Sequence, residues 1–185
     1  MSITFITGNL GKLEQLKRYL HYPVTHQKLD LTEIQSLDLL EVVRHKAKEA
    51  YDHIQSPVLI EDTSLTFQAL GHLPGTFIKW FLQELGTNGL CELLNGYSNR
   101  VALAHVCFGL YDGKELITFE ATIKGSIAKY PSGDKDFGWG PTFIPDGYTK
   151  TWGEMSIEEQ QPTAIRRIAL EKLDAYLKQQ NRNSI

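Results

Sequence analysis

Apolar positions along the chain change period several times, and each change marks an element. Thr4-Phe5-Ile6 is a short strand-like run that reaches Thr7-Gly8-Asn9. Beyond it Leu10, Leu13, Leu16 and Leu20 recur at spacings of three, three and four, the stripe of an amphipathic helix from Leu10 to about Leu20. Asn9 is a favourable N-cap for it. Leu39, Val43, Ala47, Ala50 or Tyr51, and Ile54 predict a second helix from Leu39 to Ile54. Pro57-Val58-Leu59-Ile60 reads as a short buried strand that stops at Glu61-Asp62-Thr63. Thr76 to Leu85 and Leu90 to Leu94 read as helices split by Gly86 and Gly89. The β-like segments Val101 to Tyr111 and Glu115 to Ile123 flank Asp112-Gly113-Lys114, a hairpin signal. Ser156 to Gln180 is helical but contains Pro162. Proline fits best in a first turn, so the last helix is expected to begin near Pro162. Early strand–helix alternation followed by a long hairpin predicts a mixed α/β domain.

Composition narrows the class. A chain of 185 residues with 42% hydrophobic content supports one compact domain over residues 1–185, with room for two lobes. The formal net charge is −3, and no block of like charge stands out. A nucleic-acid surface is therefore not expected, although a local basic pocket stays open. Cys91 and Cys107 sit in apolar surroundings without a Cys-x-x-Cys pair and read as buried thiols, which suits a reducing compartment. No apolar run approaches the ~20 residues of a membrane helix, so a cytoplasmic protein without membrane contact is expected. The six histidines show no ligand spacing, and no zinc site is expected.

Three stretches carry candidate chemistry. Thr7-Gly8-Asn9-Leu10-Gly11-Lys12 follows a strand and opens a helix. It fails the G-x-x-x-x-G-K-[ST] phosphate loop, because Gly8 and Gly11 are too close and Leu13 stands where the hydroxyl belongs. Helix N-terminal N–H groups, Thr7, Asn9 and Lys12 still suit an anion. A capped turn with a solvated lysine is the plain alternative. Glu61-Asp62, at the expected end of an apolar strand, can hold Mg²⁺ and activate water, or can cap a turn. Glu33 is a further acid of this kind, or a surface residue. The stretch "DFGWGPTFIPDGY", Asp136 to Tyr148, packs Phe137, Trp139, Phe143 and Tyr148 into a rigid loop. Its aromatic faces either stack a base or fill a core.

Taken together, "TGNLGK", "IEDTSL", "ALGHLPGTFIKWFL", "DFGWGPTFIPDG" and "RRIAL" resemble the inosine triphosphate pyrophosphatase family, in order and over nearly the whole chain. The resemblance implies an elongated mixed-sheet α/β fold with two lobes around a central cleft, usually as a homodimer. It implies Mg²⁺-dependent hydrolysis of a nucleoside triphosphate to monophosphate and pyrophosphate, on damaged purine nucleotides such as ITP, dITP and XTP. Thr7, Asn9 and Lys12 match the family's phosphate-binding start, Glu33 its metal-binding acid, and Lys46 a phosphate-contacting lysine. Glu61 and Asp62 match its acidic pair, with Asp62 in the place of the general base. Lys79 falls where a basic residue lies near the triphosphate. Phe137 and Trp139 match base-stacking positions, and Arg166 matches the arginine of a Ser-His-Arg motif.

The departures gather at the base-reading positions. Gly140 replaces the aspartate of "FGWDP", Gln160 stands for a lysine, Ala164 for the serine and Ile165 for the histidine. The reaction is expected to be kept and the base preference altered. Two rivals stay open: a relative acting on other normal or modified nucleoside triphosphates, and a nucleotide-binding protein without turnover.

Overall fold

β1, Ile3–Ile6, buries all four side chains, as an inner strand covered on both faces must. The structure is a computed structural model that describes residues 3–134 and 138–183. α1 is Leu10–Tyr19. Asn9 caps it, its side-chain oxygen accepting from the Lys12 N–H at 3.1 Å. The leucine stripe is only partly used: Leu16 and Leu20 are buried, but Leu10 is 69% exposed. Leu10 is the first residue of the helix, ahead of the turns that meet the core.

β2, Val24–Gln27, is not marked by any apolar period, since it is the edge strand and three of its four side chains are exposed. α2 is Leu39–Ile54, the range its stripe predicts, with Leu39, Val43, Ala47 and Ala50 buried and Asp38 capping the Leu40 N–H. β3 is Val58–Phe67, which corrects the expected stop after Ile60. Ladder hydrogen bonds do not depend on side-chain polarity, so Glu61, Asp62 and Thr63 continue the strand until apolar burial resumes at Leu65 and Phe67.

β4, Pro74–Gly75, precedes α3, Ile78–Glu92. α3 is broken at Gly86 alone, whose φ of 65° and ψ of −176° leave the helical region. β5, Val101–Tyr111, and β6, Leu116–Ile127, are joined by a tight turn. In it the Asp112 carboxylate accepts the N–H groups of Lys114 and Glu115. Gly113 there has φ of 93°, and a Cβ would come within 2.3 Å of the Tyr51 ring, so only glycine fits. β7 is Phe143–Pro145, and α4 is Ile157–Gln160, opened by a Ser156–Glu159 capping box. Pro162 lies in a separate 3-10 turn, Gln161–Thr163. The extended Ala164 then intervenes, and α5 runs Ile165–Asn183, which moves the expected start of the last helix.

Strand order is β2-β1-β3-β5-β6-β7, with β4 paired to β3. β2 and β3 run parallel to β1, whereas β4 and β7 are antiparallel to their partners. The result is an open mixed seven-stranded sheet with five α-helices among the described residues, the α/β class expected.

The chain forms two compact units. The first comprises Met1–Asp62, Val106–Ala121 and Ile165–Ile185. Phe5, Val43, Ala47, Val58, Ile60 and Cys107 lie in its core, and α1 packs on α5. The second comprises Thr63–His105 and Thr122–Ala164. There Leu65, Phe67, Leu90, Leu94 and Phe143 are buried, and the Arg100 guanidinium donates to the carbonyls of Cys91, Leu94, Ile127 and Ala128. No helix of the described residues is long and apolar enough to cross a membrane.

Both cysteines are buried free thiols, as expected. Burial pushes the Cys91 thiol up to about 11 and the Cys107 thiol up to about 12. A raised native pKa disfavours the thiolate, the reactive form. At pH 8 a water-soluble thiol reagent is expected to label neither cysteine of the native protein and both in denaturant. Labelling of the native protein within minutes would contradict their packing.

Candidate active site

The loop after β1 is held from several sides. Thr7 N–H donates to the Gln27 carbonyl at 3.1 Å, and the Thr7 hydroxyl accepts from Asn9 N–H at 3.1 Å. The His26 ring lies 2.7 Å from the Thr7 carbonyl through Nε2. Asn9 and Lys12 then lie on the first turn of α1, where backbone N–H groups point out of the helix.

Glu61 and Asp62 are neighbours in the interior of β3, and side chains alternate across a strand. They therefore enter two different clusters. Glu61 is 1% exposed at its side chain. Its Oε1 lies 2.9 Å from Arg166 Nε and 3.3 Å from Lys12 Nζ. The Lys12 ammonium also reaches the Glu61 carbonyl at 3.4 Å. A carboxylate this buried needs paired charge, and two cations from α1 and α5 supply it. The second carboxylate oxygen, Oε2, is buried with no hydrogen-bond partner among the described residues.

Asp62 meets Lys46, from α2, at 2.6 Å, and Glu33 meets the same ammonium at 2.6 Å. Burial of Lys46 opposes its charge. The charge of Asp62 and hydrogen bonds to Asp62 and Glu33 outweigh that and raise its pKa above the ordinary lysine value. Two hard carboxylates thus face one cation position. Among the described residues no group of three or more His, Cys, Asp or Glu is arranged to hold a metal ion. Thr7, Asn9, Lys12, Glu33, Lys46, Glu61, Asp62 and Arg166 all belong to the first unit.

The remaining expected residues belong to the second unit. Lys79, on α3, places its ammonium 5.0 Å from the centre of the Trp80 ring. Trp139 is half-buried beside Trp152, with ring centres 5.5 Å apart, and edge-on to Phe143 at 6.1 Å. Gln160 uses its amide nitrogen on the carbonyls of Trp152 and Met155, at 2.8 and 3.1 Å. Phe137 lies outside the described residues. Trp152 was not singled out in the sequence. It is 5% exposed, donates its indole N–H to Thr163 and stands behind Trp139. His26 was missed too, because nothing in the hydrophobic pattern marks β2.

An open mixed sheet, a capped helix start after β1 and two acid–base clusters on β3 define an α/β protein whose charged site suits polyphosphate chemistry. The chain belongs to the Ham1 family, whose model matches residues 3–176. It is 43% identical over 178 residues to inosine triphosphate pyrophosphatase 2 of Trypanosoma cruzi (strain CL Brener), covering 94% of this chain and 91% of that protein. It is 42% identical over 182 residues to inosine triphosphate pyrophosphatase of Yarrowia lipolytica (strain CLIB 122 / E 150), covering 96% of each. A HAM1 protein from Coxiella burnetii has the same fold, with a TM-score of 0.85 at 23% identity, covering 97% of this chain and 99% of that one. The family resemblance read from the motifs is thereby borne out.

Proposed function

We propose that the chain is a nucleoside triphosphate pyrophosphatase that hydrolyses ITP and related nucleotides to monophosphate and pyrophosphate, acting as one catalytic domain. The observation that carries this reading is the pair of charged clusters on β3: Lys12 and Arg166 on Glu61, and Lys46 between Asp62 and Glu33. Curated relatives named for this activity match 94% and 96% of the chain and support the reading.

In this proposal Thr7, Asn9, Lys12 and the N–H groups of the α1 start hold the phosphates. Lys46 adds positive charge to them, and the family resemblance assigns Lys79 the same role. Asp62 orients a water molecule and takes its proton as the oxygen attacks the α-phosphorus, and pyrophosphate departs. Glu61 fixes Lys12 and Arg166. The hard oxygens of Glu33 and Asp62, which already share one cation, fit a divalent ion, whereas Glu61 faces the other cluster. Those carboxylates would hold Mg²⁺, which when bound neutralises charge on the triphosphate oxygens. The family resemblance assigns base stacking to Phe137 and Trp139 and base reading to Gln160 and Arg166; Trp152 backs Trp139.

Base preference is where this chain is expected to differ. The Gln160 amide nitrogen is committed to two backbone carbonyls, and Ile165 is buried. Neither offers a donor to a 6-oxo purine, and Gly140 offers no carboxylate. Stacking tolerates every base, whereas hydrogen-bonding sites reject analogues by as much as ~10⁴–10⁵-fold. The expected result is pyrophosphate release from ITP, XTP and GTP with selectivity for ITP below about a hundredfold. Chromatography of turnover mixtures, with kcat/KM for each nucleotide, checks both points. Diphosphate as the main product would remove the proposed reaction, and a larger ITP preference would remove only the altered base pocket.

A further inference from the structure

Lys12, Lys46 and Arg166 face Glu33, Glu61 and Asp62, so the formal charges of these six residues cancel. Further positive charge beside them would favour a polyanion. Lys28 supplies such a charge. It follows β2 directly, and β2 grips the Thr7 loop through the Gln27 carbonyl and the His26 ring. The Lys28 stem lies along Gly8. Its Cε, Cδ and Cγ are 3.4, 3.5 and 3.5 Å from the place a Gly8 Cβ would take. Unlike Lys12 and Lys46, Lys28 spends its ammonium on no acid among the described residues.

We propose that Lys28 is a further binding residue for the polyphosphate of the substrate, an assignment that rests on the triphosphate lying at the Thr7–Lys12 loop. The stem sets the reach. Packed flat on Gly8, it carries the charged end beside the backbone that would meet the phosphates. An exposed lysine contributes modestly and through charge, so its effect must fade with salt. A Cβ at Gly8 would meet the Lys28 stem at ordinary van der Waals distance.

The test compares Lys28→Met, Lys28→Arg and Lys12→Met in the full-length protein by titration with inorganic pyrophosphate at low and high salt. Methionine keeps an apolar stem against Gly8 and removes the charge. Lys28→Met is expected to weaken pyrophosphate binding about fivefold at low salt, with a smaller gap at high salt. Lys28→Arg should recover most of the affinity, and in Lys28→Met the KM for the triphosphate should rise more than kcat falls. If Lys12→Met weakens binding while Lys28→Met does not, the role of Lys28 is overturned and the phosphate loop stands. If neither variant changes binding, the loop is not the phosphate site and both readings fall.

Discussion

Asp62→Asn is expected to lose ~10²–10⁴-fold in kcat, the usual scale for removing a general base. The substitution is nearly isosteric. An amide oxygen can still accept from Lys46, which now bridges Asp62 and Glu33 at 2.6 Å to each, so the fold and the α2–β3 contact should persist. What disappears is the ability to take a proton from water and half of the negative charge that faces Lys46. Steady-state turnover of ITP at saturating Mg²⁺, alongside a thermal melt, checks this. Near-full activity in a folded Asp62→Asn protein would strip Asp62 of its role.

Glu61→Ala should be the most destabilising change in the site. Glu61 is the shared counter-ion of Lys12 and Arg166, at 3.3 and 2.9 Å, and removing it leaves two cations facing each other. Breaking a fully buried pair costs about 3–5 kcal/mol. Lys12 and Arg166 keep 20% and 24% side-chain exposure, so water offsets part of that. A loss of about 2–3 kcal/mol follows, or roughly 5–10 °C in Tm for a chain of this size. Glu61→Gln retains an acceptor for both cations and should cost about half as much. Denaturant unfolding measures both. A Glu61→Ala protein within about 0.5 kcal/mol of the parent would mean that the buried triad contributes nothing to stability.

Much of the site was legible as a set of residues, but its grouping was not. "IEDTSL" reads as an acidic pair, and in one dimension two adjacent carboxylates look like one site. Strand periodicity separates them: Glu61 turns to α1 and α5, Asp62 to α2 and Glu33. Reading β3 as ending at Ile60 hid this, since a turn would not impose alternation. Arg166 entered as a base-reading position and is seen bound to Glu61. Gln160 stood as a substitute for a lysine, and its hydrogen bonds to Trp152 and Met155 give it a structural task that no spacing could reveal.

Features that depend on neighbours a few residues away are legible in the chain. The Asn9 cap, the bounds of α2, the Asp112-Gly113-Lys114 turn and the break at Gly86 each follow from local backbone and side-chain chemistry. Family membership was also readable there, because motif order is a property of the chain alone. Long-range packing makes β2 a polar edge strand. It also sets Lys46 between residues 33 and 62 and brings the carboxylate at position 61 to the arginine at 166. Such contacts join segments up to 105 residues apart, and no hydrophobic period encodes which charged groups will meet once burial has set the layers.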